Sequence, residues 1–199
     1  MKSPTIIGIA GRMKSGKTAL AQSLSEEYGW SIFSFAGSVR DEISKGWFSY
    51  LPKAEARVMW DLVESEDKSL CRPLLQAWGH GRRQITTPDY WVHKILKQIR
   101  DIESVIIIDD VRYPNEMQMI LDNDGYIIYI TTTDNTLIGR GVNPPELKHE
   151  SECALPLNHH VFKHRPFRVH MIEGDGVSVY GLYKRAKQKI EGEWEIDKV

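Results

Sequence analysis

A chain of 199 residues with 41% apolar content is long enough to bury one good core and too short for two independent ones, so a single domain is expected. Its 26 basic and 27 acidic residues leave a formal charge of -1, which excludes a global field drawing it onto nucleic acid or an anionic membrane. Cys71 and Cys153 are too few for a disulfide framework or a four-thiolate zinc site, and no apolar run approaches the roughly 20 residues that span a bilayer.

Apolar runs alternate with amphipathic segments in the order of stacked βαβ units, which predicts a parallel sheet. Thr5 to Ala10 (TIIGIA) is short, β-branched and apolar on both faces, as a central buried strand requires. Gly11 to Thr18 interrupts it. From Lys17 to Tyr28, Ala19, Leu20, Ala21 and Leu24 recur at helical spacing, and Gly29 is the stop. Ser31 to Ala36 reads as a second strand, with a helix carrying Val39, Ile43 and Trp47 behind it.

Helices are predicted over Lys53 to Val63, Ser69 to Arg83 and Pro88 to Ile102, the last with Thr87 as N-cap and Pro88 at the first helical position. Ser104 to Asp109 (SVIIID) is the clearest strand in the chain. Pro114 opens a helix that Gly125 closes, and Tyr126 to Thr131 is a fourth strand. Thr132 to Pro156 is rich in Thr, Asn, Gly, Pro and charge; a connection of that length inside a compact domain is functional, and it reads as a lid. Val169 to Ile172 and Val177 to Ile190 supply a last strand and helix, which completes five strands with helical crossovers.

Gly11-Arg-Met-Lys-Ser-Gly16-Lys17-Thr18 matches the phosphate-loop pattern G-x-x-x-x-G-K-[ST], after a buried strand and at a helix N-terminus. The glycines let the backbone N–H groups turn inward, and the positive end of the following helix adds to the anion site. Lys17 is placed to reach the β- and γ-phosphates of ATP, and the Thr18 hydroxyl to ligate Mg2+. Lys14 and Ser15 belong to the same loop; Lys14 and Arg12 either screen charge at its rim or are simply solvated. A second feature is Asp109-Asp110-Val-Arg112, which puts two carboxylates at the C-terminal edge of a buried strand, where α/β proteins bind ligands. Either carboxylate could hold magnesium and Arg112 face a phosphoryl group; alternatively the pair caps the turn and Arg112 pairs with Glu116.

In the helical middle, Arg72, Gln76, Gly79 or His80, and Arg83 form one polar stripe beside Leu74, Leu75 and Trp78. The stripe suits an acceptor pocket, with Arg72 on a phosphate, Gln76 on a base edge and Gly79 allowing close approach; ordinary surface helices show the same periodicity. Trp91 and Tyr90 are core residues or a stacking platform, and Arg40 is a candidate for the acceptor phosphate. The seven histidines show no paired ligand spacing, and no nucleophile elbow is present.

The string Leu74-Leu-Gln76-Ala-Trp-Gly79, then Arg83, Pro88-Asp-Tyr-Trp91, Asp110-Val-Arg112-Tyr-Pro-Asn115-Glu116 and His149-Glu-Ser-Glu152 resembles the phage deoxynucleoside monophosphate kinases. With the phosphate loop and the ending Gly176 to Tyr183, the resemblance runs through nearly the whole chain. It implies an NMP-kinase-like P-loop fold in three layers, a five-stranded parallel sheet with a helical acceptor-binding insertion over about 37–103 and a short lid over about 132–156. It implies ATP with Mg2+ and a deoxynucleoside monophosphate acceptor. It places Arg72, Gln76, Gly79 and Trp91, with His80 beside them, at the acceptor, and Asp110, Arg112 and Glu116 near the phosphates. Arg140, in the lid, is a candidate catalytic arginine, and Asp109 and Asp110 are candidate metal ligands beside Thr18. His80 stands where the family usually has a small hydroxyl residue, and Asp109 where Ser or Thr is common. Other small-molecule P-loop kinases, of the dephospho-coenzyme A or nucleoside type, and non-kinase P-loop NTPases share the loop. The protein is expected in the cytoplasm, that of the host if phage-encoded, with no stable nucleic-acid or membrane partner and with a homodimer left open.

Overall fold

A computed structural model describes residues 4–46, 53, 55, 57, 58, 61, 68–194 and 196. The predicted Trp47 lies outside the described residues, as does much of Lys53 to Val63, where residues 53, 55, 57, 58 and 61 are helical. The chain divides into two compact units, one running to Phe33 and again from Ile99, the other Ser34–Gln98.

The first unit carries a five-stranded sheet in the order β2-β3-β1-β4-β5, with β1 Ile6–Gly11, β2 Ser31–Phe33, β3 Ile106–Val111, β4 Tyr126–Thr131 and β5 Val169–Glu173. Every pairing is parallel. Strand β1 is buried along its whole length, as its two-sided apolar sequence requires. Ile7 and Ile9 point to one face, where they meet Leu20 and Leu24 of α1 (Lys17–Tyr28) and Leu182, Ala186 and Ile190 of α8 (Val179–Gly192). Each such fully buried apolar side chain contributes about 2 kcal/mol relative to exposure. Gly8 points to the other face, where α5 (Pro114–Asp122) lies so close that a Cβ would stand 2.6 Å from Ile120 Cδ1. Helices therefore cover both faces of the sheet, and the expected three-layer α/β architecture is the one observed.

The second unit is helical: α2 (Phe35–Gly46), α3 (Lys68–Ile85) and α4, Tyr90–Ile99. Val39, Ile43, Trp91, Val92 and Ile95 are buried in it. Glu42 of α2 is half-buried, its side chain only 9% exposed. Its carboxylate accepts from Trp78 Nε1 at 3.1 Å, from Arg82 Nε and from the Tyr90 hydroxyl, and pairs with Lys94 Nζ at 2.8 Å. One carboxylate thus ties α2, α3 and α4 together.

Several boundaries differ from expectation, three of them with an identifiable cause. Strand β2 ends at Phe33 rather than Ala36, because the Ser34 hydroxyl accepts the Gly37 N–H at 2.8 Å and starts α2 at Phe35. Helix α4 begins at Tyr90 rather than Pro88; Thr87 caps a turn through the Asp89 N–H before the helix proper starts. Strand β3 is shifted two residues on and includes both aspartates, since it runs to Val111, opposite Ala10 of β1. The segment 132–156 is folded into α6 (Asp134–Gly139), a 3-10 turn Pro144–Lys148 and α7 (Glu150–Cys153).

Candidate active site

The Gly11–Thr18 loop connects β1 to α1 in the first unit. Gly11 and Gly16 both lie in the left-handed region, at φ 138° and 105°. A Cβ on Gly11 would stand 2.6 Å from the Ile130 carbonyl oxygen, and one on Gly16 2.8 Å from Leu182 Cδ1, so the loop can follow this path only with glycine there. No side chain caps the N-terminus of α1. The Ser15 hydroxyl is buried without a hydrogen-bond partner, an orphaned polar atom inside the loop.

Lys17 is 6% exposed, and its ammonium donates to the Arg12 carbonyl at 2.6 Å. Burial, and after it the Arg112 charge, pull its pKa down to about 7, while Glu152, Asp110 and Asp109 pull the other way. The register of β3 on β1, with Val111 opposite Ala10, puts the acidic end of β3 beside the loop: Asp109 is buried and Asp110 half-buried. A triphosphate in the loop would restore the lysine's charge. Arg112 follows β3, its backbone N–H donating to Glu116 Oε2 at 2.9 Å, as does that of Tyr113 at 3.1 Å. Glu116 is therefore the cap of α5 and fixes the backbone at Arg112, while the Arg112 guanidinium pairs with Glu152.

The segment 132–156 packs against the loop. Arg12 pairs with Asp134, Lys14 Nζ donates to the Gly141 carbonyl at 2.8 Å, and Met13 packs with Leu137, Val142 and Leu147. Arg140 donates to the carbonyls of Lys14 at 2.9 Å and Gly174 at 2.8 Å. Both of its terminal nitrogens thus brace backbone.

In the helical unit, Arg72, Gln76, Gly79 and His80 all fall on α3, at the spacing read from the sequence. Arg72 and Gln76 are half-buried, His80 is exposed, and Gly79 is buried. Trp91 is a core residue whose indole N–H donates to the Gly79 carbonyl at 2.9 Å. Arg40 sits half-buried on α2, and its Nε is buried with no partner.

No family model matches the sequence, and no curated protein is significantly similar to it. Solved structures are similar in fold. Dephospho-CoA kinase from Campylobacter jejuni superposes with a TM-score of 0.52 at 13% identity, over 98% of this chain and 99% of that one. Gluconokinase from Sinorhizobium meliloti gives 0.51 at 14%, over 94% and 91%, and shikimate kinase from Aquifex aeolicus 0.50 at 14%, over 96% and 99%. The chain has the NMP-kinase-like P-loop fold.

Within that fold the donors suit magnesium. The exposed Thr18 hydroxyl and the carboxylates of Asp109 and Asp110 are hard oxygen ligands, few enough that substrate phosphates and water would complete the shell. Among the described residues no group of three or more His, Cys, Asp or Glu could hold a metal without such help. No described helix is long and apolar enough to cross a membrane. Two features show no signal in the sequence. Glu42 shows none, since a lone glutamate on an amphipathic helix looks solvated. The Met13 anchor has none either. Glu152 stands in a motif that the sequence does single out, and its partners Met13 and Arg112 lie far away in the chain.

Proposed function

We propose that this protein is a deoxynucleoside monophosphate kinase, moving the γ-phosphoryl group of ATP onto the 5′-phosphate of the acceptor. The observation that carries the reading is the buried Lys17 inside a glycine-turned loop, facing the charges of Asp109, Asp110 and Arg112. An acceptor phosphate has a second pKa of about 6, so at pH 7 its dianion attacks phosphorus without a general base. An acceptor oxygen–phosphorus bond forms, the bond to the β-phosphate oxygen breaks, and ADP leaves. Lys17 and Arg112 counter the charge of the transferring group, and Thr18, Asp110 and Asp109 would hold a magnesium ion, which when bound would supply further charge neutralisation. Lys14, Ser15 and Gly16 shape the cup, and Arg140 braces it from the lid.

The acceptor is assigned to the helical unit. Arg72 and Gln76 share the stripe of α3, and Gly79 is held by Trp91. The unpartnered Arg40 Nε suits an anionic oxygen. The sequence motifs shared with phage deoxynucleoside monophosphate kinases lie on these helices and on β3, which is what favours this acceptor. Labelled ATP offered with dGMP, dTMP, dCMP, dAMP, their ribo counterparts, dephospho-coenzyme A and a nucleoside tests it. Transfer to one or more deoxynucleoside monophosphates is expected, and transfer only to dephospho-coenzyme A or a nucleoside would replace the acceptor.

Gly11→Ala is expected to weaken MgADP binding by more than about tenfold, because the side chain meets the Ile130 carbonyl at a backbone angle that disfavours it. Calorimetric titration measures this. Unchanged affinity would mean that the loop is not the nucleotide site.

A further inference from the structure

We propose that Glu152 is a positioning residue: its carboxylate ties the lid to the phosphate loop and holds the Arg112 guanidinium towards the terminal phosphate. Its side chain is 0% exposed. One oxygen, Oε2, accepts the Met13 N–H of the phosphate loop at 2.7 Å, and the other, Oε1, pairs with Arg112 Nη1. Burying a carboxylate costs several kcal/mol unless every lone pair is well used, so a buried acid that bridges a loop amide and a guanidinium is an expensive feature with two specific partners.

The surroundings hold that carboxylate in place. Helix α7 is capped by His149, whose Nδ1 accepts the Ser151 N–H at 3.2 Å and lies 2.9 Å from Ser151 Oγ; that hydroxyl in turn is 3.5 Å from Arg112 Nη1. Below it, the Met13 side chain is sunk among Leu137, Val142 and Leu147. The other polar lid-to-loop contacts, at Arg12, Lys14 and Arg140, are at exposed or partly buried positions, whereas the bond to Met13 is fully buried. Glu152 is thus the contact through which the lid fixes both the loop and the arginine. Without it, the Arg112 side chain keeps its backbone anchor at Glu116 but loses its anionic guide.

The inference rests on the kinase reading only for the phosphate that Arg112 meets; the coupling itself needs no acceptor. The test is a double-mutant cycle on the full chain with E152Q, R112A and the pair, titrated calorimetrically with Mg2+ plus a non-hydrolysable ATP analogue and, separately, MgADP. E152Q keeps an oxygen for Met13 and loses the ion pair. It is expected to weaken the triphosphate analogue by about tenfold and MgADP by less than about threefold, and to cost less than about twofold in the R112A background. E152D, charged but shorter, runs the same cycle if E152Q does not fold. Additive effects, equal weakening of both nucleotides or wild-type affinity would overturn the proposal. A wild-type chain that binds neither nucleotide overturns it together with the kinase reading. One that binds both, shows the coupling and phosphorylates none of the acceptors overturns the kinase reading alone.

Discussion

Lys17→Ala should lower kcat/KM for phosphotransfer by a factor on the order of 100 or more, about 3 kcal/mol of transition-state stabilisation. The ammonium is buried at the base of the loop, and no other loop lysine shares its position: Lys14 is exposed and turned to the Gly141 carbonyl. The fold should not suffer, because burial already disfavours the charged lysine. Steady-state kinetics and a melting curve on the same preparation separate the two effects: turnover collapses while the midpoint stays or rises. Near-wild-type turnover would reject Lys17 as the phosphate-binding cation.

Glu42→Ala should destabilise the helical unit by roughly 3 kcal/mol, for it leaves Trp78, Arg82, Tyr90 and Lys94 without their common acceptor. Burial alone would raise the pKa of this carboxyl; the hydrogen bonds from Lys94, Tyr90, Arg82 and Trp78 outweigh it and bring the pKa from 4.5 down to about 2. A carboxylate with a depressed pKa contributes stability that is complete above 4.5 and disappears as pH falls towards 2. Wild-type protein should therefore lose stability across that window more steeply than Glu42→Gln, which has no proton to gain. Denaturant midpoints at intervals through the window measure the difference, and parallel curves would show that the charge on Glu42 does not matter.

What was legible in the sequence was what is written in consecutive residues. The phosphate loop, α1 up to Gly29 and β4 at Tyr126–Thr131 needed only a motif, a helical repeat and an apolar run. The end of β2 was misjudged because the apolar pattern continues through Phe35, while one serine hydroxyl decides for a helix. Long-range contacts left no local trace. Met13 and Glu152 are 139 residues apart, and the Glu42 partners Trp78, Arg82 and Tyr90 lie 36, 40 and 48 residues beyond it. The stripe of Arg72 and Gln76 shows the opposite limit, since its helical spacing was plain but periodicity cannot say what a stripe touches.

The proposed kinase activity is defined by where the γ-phosphoryl group goes. Wild-type protein incubated with MgATP should release ADP only when a deoxynucleoside monophosphate is present, with one deoxynucleoside diphosphate formed for each ADP. Steady ADP release that is indifferent to every acceptor, with free phosphate as the product, would contradict it.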